Sequence, residues 1–457
     1  MIPPRILGIE TEYGLVAHGP GAKNCTPEDA AQALFSRVME LARTTNTFLS
    51  NGSRLYLDVG AHPEYATCEC TTIEDLVAHD RAGEIIYQQM ADRVNEQFAQ
   101  AGRGKTLHLF KNNVDSQGNS YGCHENYLLR RRRDFRQRVE NLIPHFITRQ
   151  IYAGAGIIRR TAAGPEFAIS QRADQMWDAV SSASTRSRPI VNTRDEPHGD
   201  IDKYRRMHVI VGDSNMCEVA TGLKVATTEM LIQMMEDGAI LPDLELADPM
   251  LAIRNISHDL TLTEKVELAS GSTATAIDIQ RAFAEAAHAH YDKKGYFADL
   301  DPVRTKLATL WIDTLDALAA KDVDKVATTI DWVAKYRLLE RYRQRAGLAL
   351  DHPKMLRLEY AYHDISERDG LAISMMSSGL LGRLVTDEQI AHAVDHPPHT
   401  RALLRGRFVA AASAARRDYL ADWTNLRLLE VSGARTVTLD DPFATTDDRV
   451  DQLMEAL

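Results

Sequence analysis

The chain has 457 residues, 44% apolar and 26% charged, which excludes a disordered or fibrous protein and supplies enough apolar side chains for a sizeable core. Its 53 Lys and Arg against 64 Asp and Glu leave a formal charge of −11, which argues against a general binder of nucleic acid or of anionic membranes and leaves only local basic patches. Residues 1–5 include two prolines and an arginine, with Glu10 and Glu12 close behind, so no apolar signal core is expected; five sparse cysteines suit reduced thiols in a cytoplasm.

Period-two alternation, or enrichment in β-branched and aromatic residues, predicts strands at residues 5–13, 54–59, 107–113, 121–129 and 206–211. Asp115-Ser116-Gln117-Gly118-Asn119 carries turn chemistry between two of them and predicts an antiparallel hairpin. Gly104-Lys105-Thr106 resembles the end of a phosphate-binding loop. Ala99 stands where that motif needs its first glycine, however, and a strand follows rather than a helix, so a nucleotide site of that type is not expected. Helical periodicity covers residues 219–237, 275–290, 302–320 and 323–347, the last ending at Gly347 as a C-cap. Thr386-Asp387-Glu388 reads as an N-cap with an acidic first turn, and Pro397-Pro398 breaks the chain before a helix at 400–415. A strand at 419–429 and a helix at 447–457 follow. Strands grouped early and helices later indicate an α+β fold rather than alternating βαβ units. The expected organisation is a large unit, residues 1–383, and a small C-terminal domain, residues 384–457.

The first strand sets Ile6, Gly8, Glu10 and Glu12 on one face, because side chains alternate. Two carboxylates beside a glycine are either a solvated face or a site for a hard divalent cation such as magnesium, which takes carboxylate oxygens and keeps waters and substrate phosphates. The second strand divides likewise: Arg54, Tyr56 and Asp58 against Leu55, Leu57 and Val59, with Glu64 following Gly60. Were the two strands sheet neighbours, several carboxylates and an arginine would converge on one polar surface suited to metal and phosphate. His124 and Asn126 share a face that could orient phosphate or metal-bound water, or could be satisfied within a hairpin. Arg186, Arg188 and Arg194 lie in a loop at residues 181–198, and Arg206 and His208 share a strand face. Arginines of this kind suit phosphate or carboxylate capture, or surface ion pairs. The run Arg130–Arg133 is a solvated face or an attractor of an acidic partner; without interleaved aromatics it is a poor nucleic-acid site. Cys68 and Cys70 lack a second ligand pair at zinc spacing and read as small buried hydrophobes.

The segments Gly8-Ile9-Glu10-Thr11-Glu12-Tyr13-Gly14, Asn51-Gly52-Ser53-Arg54-Leu55-Tyr56-Leu57-Asp58-Val59-Gly60 and His62-Pro63-Glu64-Tyr65-Ala66-Thr67 closely resemble the Pup–protein ligase family, carboxylate–amine ligases related to glutamine synthetase. Phe110-Lys111-Asn112-Asn113-Val114-Asp115, Thr185-Arg186-Ser187-Arg188-Pro189 and Asn192-Thr193-Arg194-Asp195-Glu196-Pro197-His198 extend the resemblance. It implies a curved antiparallel sheet backed by helices, with a small C-terminal α/β domain. It also implies a cytoplasmic, monomeric enzyme using ATP and Mg2+. The implied reaction has two steps. The γ-carboxylate of the C-terminal glutamate of Pup, a small disordered ubiquitin-like modifier, is phosphorylated from ATP, and a lysine ε-amine of a target protein then attacks to form an isopeptide bond. By motif position, Glu10, Tyr56 and Glu64 would hold magnesium, Asp58 would be the general base, and Arg54, Thr67 and Trp423 would contact ATP. The face reading adds Glu12 as a further acid. The related alternative is the deamidase and depupylase of Pup, which carries an additional loop after the first strand; here only 39 residues separate Gly14 from Arg54.

Overall fold

The computed structural model describes residues 2–58, 60–182, 188–429 and 436–457. Alternation along Leu7–Glu12 (β1) sends Leu7, Ile9 and Thr11 into the interior and turns Gly8 and Glu10 to the opposite face. Seven further strands join it: Asn46–Phe48 (β2), Arg54–Asp58 (β3), His62–Ala66 (β4), Cys123–Arg130 (β5), Asp178–Ser181 (β6), Pro189–Asn192 (β7) and Tyr204–Val209 (β8). Among the described residues they form one eight-stranded sheet in the order β6-β7-β8-β5-β1-β4-β3-β2. The polar strands read from the sequence therefore are neighbours: β1 lies between β5 and β4, and β4 pairs with β3. All pairs are antiparallel except β6 and β7, which run parallel, so the sheet is mixed rather than wholly antiparallel. Alternation reports which face a residue takes and not the direction of its neighbour, so this pair was not legible.

The interior face of the sheet is covered by helices. Two of them, Pro27–Ala42 (α1) and Ile73–Gln100 (α2), lie where the sequence reading placed mostly strands. The 28-residue α2 was hidden because its buried stripe includes His79, Asp80, Gly83 and Glu84 among the apolar residues. Those charges are satisfied internally: Lys111 Nζ donates to Asp80 Oδ2 at 2.6 Å and to Glu84 Oε1 at 2.8 Å, and Thr11 Oγ1 donates to Asp80 Oδ1 at 3.2 Å. The later helices appear as expected at Glu218–Glu236, Ala276–Lys294 and Pro302–Ala319. The expected helix at 323–347 is broken into Val323–Val326 and Asp331–Ala346. The break lies where buried Asp331 accepts from Cys217 N, Asn215 Nδ2 and Tyr362 Oη.

The turn at residues 115–119 forms, with Asp115 Oδ1 accepting from Gln117 N and Asn119 N. The hairpin it was expected to close is reduced to a bridge between Val114 and Ser120. The preceding strand, Thr106–Phe110, pairs instead with Gly14–His18, because Leu107 and Leu109 belong to a second core with Tyr13, Leu55, Tyr65 and Tyr87.

At the C-terminus, Asp387–Asp395 (α3) contributes Ile390 and Ala393 to the main core. A third, separate core gathers Leu404, Phe408, Leu426, Leu428, Val437 and Val450 around the helix Arg401–Ala414 (α4). The single strand expected at 419–429 is two, Tyr419–Ala421 and Asn425–Leu428. Asp422 Oδ1 accepts from Thr424 N and Asn425 N and turns the chain with Trp423 at the tip.

A Cβ on Gly83 would stand 2.5–2.8 Å from the ring of Tyr65 on β4, so α2 approaches the sheet there at a distance only glycine permits. Gly83→Ala is expected to destabilise the protein by about 1–3 kcal/mol, read as a lowered midpoint in denaturant unfolding at unchanged slope.

Candidate active site

The sheet register builds the site. Glu12 on β1 stands opposite Glu64 on β4, Tyr56 on β3 is also opposite Glu64, and Arg54 and Glu10 are both opposite Ala66. Carboxylate oxygens of Glu12, Asp58 and Glu64 lie within 4.8 Å of one another. Beside them Glu10, His124 and His208 form a second group, also within 4.8 Å, drawn from β1, β5 and β8. In that second group Asn126 is the hub. Its Nδ2 donates to Glu10 Oε1 at 3.0 Å, and its Oδ1 accepts from Arg206 Nη1 at 3.0 Å and lies 2.8 Å from His208 Nδ1. Arg206 also lies 3.5 Å from Glu10 Oε1, and His124 Nδ1 3.4 Å from Glu10 Oε2.

The two groups differ in charge balance. Burial alone would raise the Glu10 carboxyl, but His208, His124 and Arg206 gather on it and hold it below the usual carboxylate range. Burial raises Glu64 well above that range, and Glu10 and Glu12 push it further. Burial likewise raises the Tyr56 phenol, with Glu10 and Glu64 adding to the effect. Among the described residues no lysine, arginine or histidine pairs with Glu12, Asp58 or Glu64. Three carboxylates and a phenol thus form an oxygen-only donor set with no ion-pair partner among the described residues, the buried Arg172 acting on Glu12 only from farther off, which fits a hard divalent cation such as magnesium.

Next to this face opens a cleft of about 540 Å³, part of it solvent, lined by Gly8, Thr67, Asn126, His198, Arg206 and Trp423. Strict alternation from Glu64 would turn Thr67 to the other face. The structure sets it in the β1–β4 seam, where its Oγ1 accepts from Ile9 N at 3.0 Å while Thr67 N donates to Ile9 O at 2.9 Å. Trp423 packs edge-on to Phe48 with ring centres 4.9 Å apart and lies 6.0 Å from the His198 ring. Arg54 lies over the Tyr56 ring, 4.3 Å from its centre, and donates to Asn46 Oδ1.

The structure therefore brings together Glu10, Glu12, Tyr56, Asp58, Glu64, His124, Arg206 and His208, with Arg54, Thr67 and Trp423 at the border. It does not bring in Arg188, which donates to Gln175 Oε1, or Arg194, which forms an exposed ion pair with Glu196. Arg186 lies outside the described residues. Of the arginine run, Arg131 is bound in both prongs by Asp195 and Arg132 pairs with Asp134. Cys68 and Cys70 are buried free thiols, and Cys68 Sγ lies 3.4 Å from Nδ1 of buried His79, so Cys68 is more than the small hydrophobe the sequence suggests. The reading from sequence missed Glu69, His198, Arg401 and Arg405, which form one wall of the cleft or support it. Glu69, an acid in the apolar run Tyr65–Cys70, was the available signal, since such a charge must find buried partners.

The fold is that of a ligase. It superposes with a TM-score of 0.92 and 41% identity on a crystal structure of the complex between the prokaryotic ubiquitin-like protein Pup and its ligase PafA, covering 99% of this chain and 91% of that one. A structure of the Pup ligase PafA in complex with ADP matches with a TM-score of 0.84 and 41% identity, over 95% of this chain and 94% of that one. Residues 5–427 match the family model described as Pup-ligase protein. The Pup–protein ligases of Xylanimonas cellulosilytica and Jonesia denitrificans are 48% and 49% identical over 455 residues, 99% of this chain and 99% and 98% of theirs. The chain belongs to the Pup-ligase family.

A Cβ on Gly122 would come within 2.2 Å of His124 Nε2 and 2.8 Å of Glu12 Oε1. Those neighbours are side-chain ends that can give way, so Gly122→Ala is expected to leave the fold standing while displacing both acid groups. The expected result is a fall in ligase turnover of roughly tenfold or more, with a melting temperature close to that of the unsubstituted protein.

Proposed function

We propose that this chain activates the γ-carboxylate of the C-terminal glutamate of Pup with ATP and joins it to lysine ε-amines of target proteins, marking them for proteasomal degradation. The observation that carries this reading is the continuity of the aromatic-walled cleft with a face where Glu12, Asp58 and Glu64 have no ion-pair partner among the described residues, in a chain that matches a Pup–ligase complex over 99% of its length. The ADP complex of the related ligase supports a nucleotide in the cleft, with Trp423 and Thr67 against it and Arg54 at its phosphate end.

Glu10, Tyr56 and Glu64 would hold Mg2+, with Glu12 beside Glu64 as a further acid. When bound, the metal supplies positive charge between phosphoryl oxygens and the incoming carboxylate, which would otherwise repel each other. Asn126, His124 and His208 orient Glu10, and Arg206, half-buried at the border of cleft and acid face, is placed to meet a phosphoryl or carboxylate group. The second step needs a neutral amine, because a lysine with the ordinary pKa of about 10.4 is protonated at pH 7. Asp58 ends β3 at the open side of the acid group and is the carboxylate best placed to take that proton as the amine attacks. The thiols are free and, among the described residues, no helix is long and apolar enough to cross a membrane; the free thiols support a cytoplasmic setting.

Purified protein given ATP, magnesium and Pup ending in glutamate is expected to attach Pup to lysines of a test protein. Release of ammonia from Pup ending in glutamine, with no conjugate from the glutamate form, would instead identify a deamidase. Asp58→Asn is expected to keep ADP binding while conjugation falls by roughly a hundredfold, measured by gel shift; unchanged conjugation would remove Asp58 from proton transfer.

A further inference from the structure

Glu69 lies between β4 and α2 with its side chain 6% exposed. Its carboxylate receives both arginines of α4. Arg401 Nε and Nη2 donate to Oε1 at 3.0 and 2.7 Å, Arg405 Nη1 donates to Oε1 at 3.1 Å, and Arg405 Nη2 donates to Oε2. Its backbone oxygen accepts from Thr400 Oγ1, the residue that caps α4.

The two arginines do not stop at Glu69. Arg405 Nη1 donates to the backbone oxygen of Trp423 at 3.0 Å, and its Nε and Nη2 donate to Gly52 O at 3.1 and 2.9 Å. The same guanidinium lies 5.0 Å from the centre of the Trp423 ring and 4.9 Å from that of Phe48. Arg401 Nη2 donates to His198 O at 2.8 Å, and its Nη1 to Leu439 O at 2.7 Å. Both backbone segments that wall the cleft, at His198 and at Trp423, are thus held by guanidinium groups that share Glu69 as their ion-pair partner. Without that carboxylate, two buried cations would face each other across one turn of helix.

We propose that Glu69 is a positioning residue for the nucleotide cleft: through Arg405 and Arg401 it fixes Trp423 and His198, so that docking of α4 on the sheet and completion of the nucleotide wall are one event. This rests on the reading of the cleft as the nucleotide site. Glu69 touches neither the acid face nor Asp58, so its loss separates nucleotide affinity from chemistry.

The test measures ADP dissociation constants, together with KM for ATP, KM for Pup and kcat for conjugation, in Glu69→Gln, Arg405→Lys and Trp423→Ala. Glu69→Gln keeps the shape and removes the charge; Arg405→Lys keeps the charge but cannot span Glu69, Gly52 O and Trp423 O together. Both are expected to raise the ADP dissociation constant and the KM for ATP roughly tenfold while kcat at saturating ATP and the KM for Pup change less than about threefold. Glu69→Asp is expected to recover part of the affinity. If Glu69→Gln does not fold, Arg405→Lys decides. A loss in kcat with the ATP constants unchanged, or no change in either variant while Trp423→Ala weakens ADP, overturns the positioning role. Unchanged ADP affinity in Trp423→Ala overturns the nucleotide reading of the cleft itself.

Discussion

Too many carboxylates share one desolvated sheet face, and the rest of the molecule is arranged around that constraint. Elsewhere in the interior, buried acids are answered by cations or, as at Asp331, by hydrogen-bond donors alone. Glu125 takes Arg149, Asp80 and Glu84 take Lys111, Glu69 takes Arg401 and Arg405, and Glu236 takes Arg5. Buried charges are tolerated on those terms, because pairing and hydrogen bonds offset the loss of hydration. On the polar face of β1, β3 and β4 the rule is broken. Glu12, Asp58 and Glu64 crowd together with no ion-pair partner among the described residues, and Glu64 is pushed toward its neutral form. The chain holds them there because register, not attraction, places them: Glu12 and Glu64 are partners in a ladder whose other side is fixed by the core. Charge of this kind calls for a ligand that brings its own positive ions.

The acid face alone would be a metal trap. What makes it an enzyme site is the adjoining cleft, whose floor is Gly8 and Thr67 and whose far wall comes from the C-terminal unit. Trp423 stands on a three-residue connection between short strands, an intrinsically loose place for a wall residue. Its anchoring by Arg405, packed between two aromatic rings and tied to Glu69, explains how a unit with its own small core can contribute to a site built on another sheet.

The faces of the strands were legible in the sequence because period-two alternation is local: Glu10 and Glu12, and Arg54, Tyr56 and Asp58, could be placed before any pairing was known. Their convergence could only be stated conditionally, since pairing of β1 with β4 joins residues more than 50 positions apart. The helix α2 was lost because its buried stripe carries the charges that answer Lys111, which blurs the apolar pattern. The partition of acids into two groups, Glu10 with the histidines and Glu12 with Asp58 and Glu64, likewise follows from neighbours on either side of β1. No segment read alone contains it. Arg194, well matched by motif, pairs on the surface with Glu196, whereas Asn126, noted only as sharing a face with His124, sits at the centre of the hydrogen-bond network.

The central claim is that this carboxylate face is completed by divalent cations that also meet the nucleotide phosphates. A crystal structure of the protein with ADP and Mn2+, phased to show the anomalous signal of manganese, tests it most directly. The account predicts manganese peaks within coordination distance of Glu64 and at least one of Glu10 and Glu12, bridging to the phosphates of ADP in the Trp423 cleft. Manganese held by the phosphates alone, with the three carboxylates bonded only to water, would contradict it.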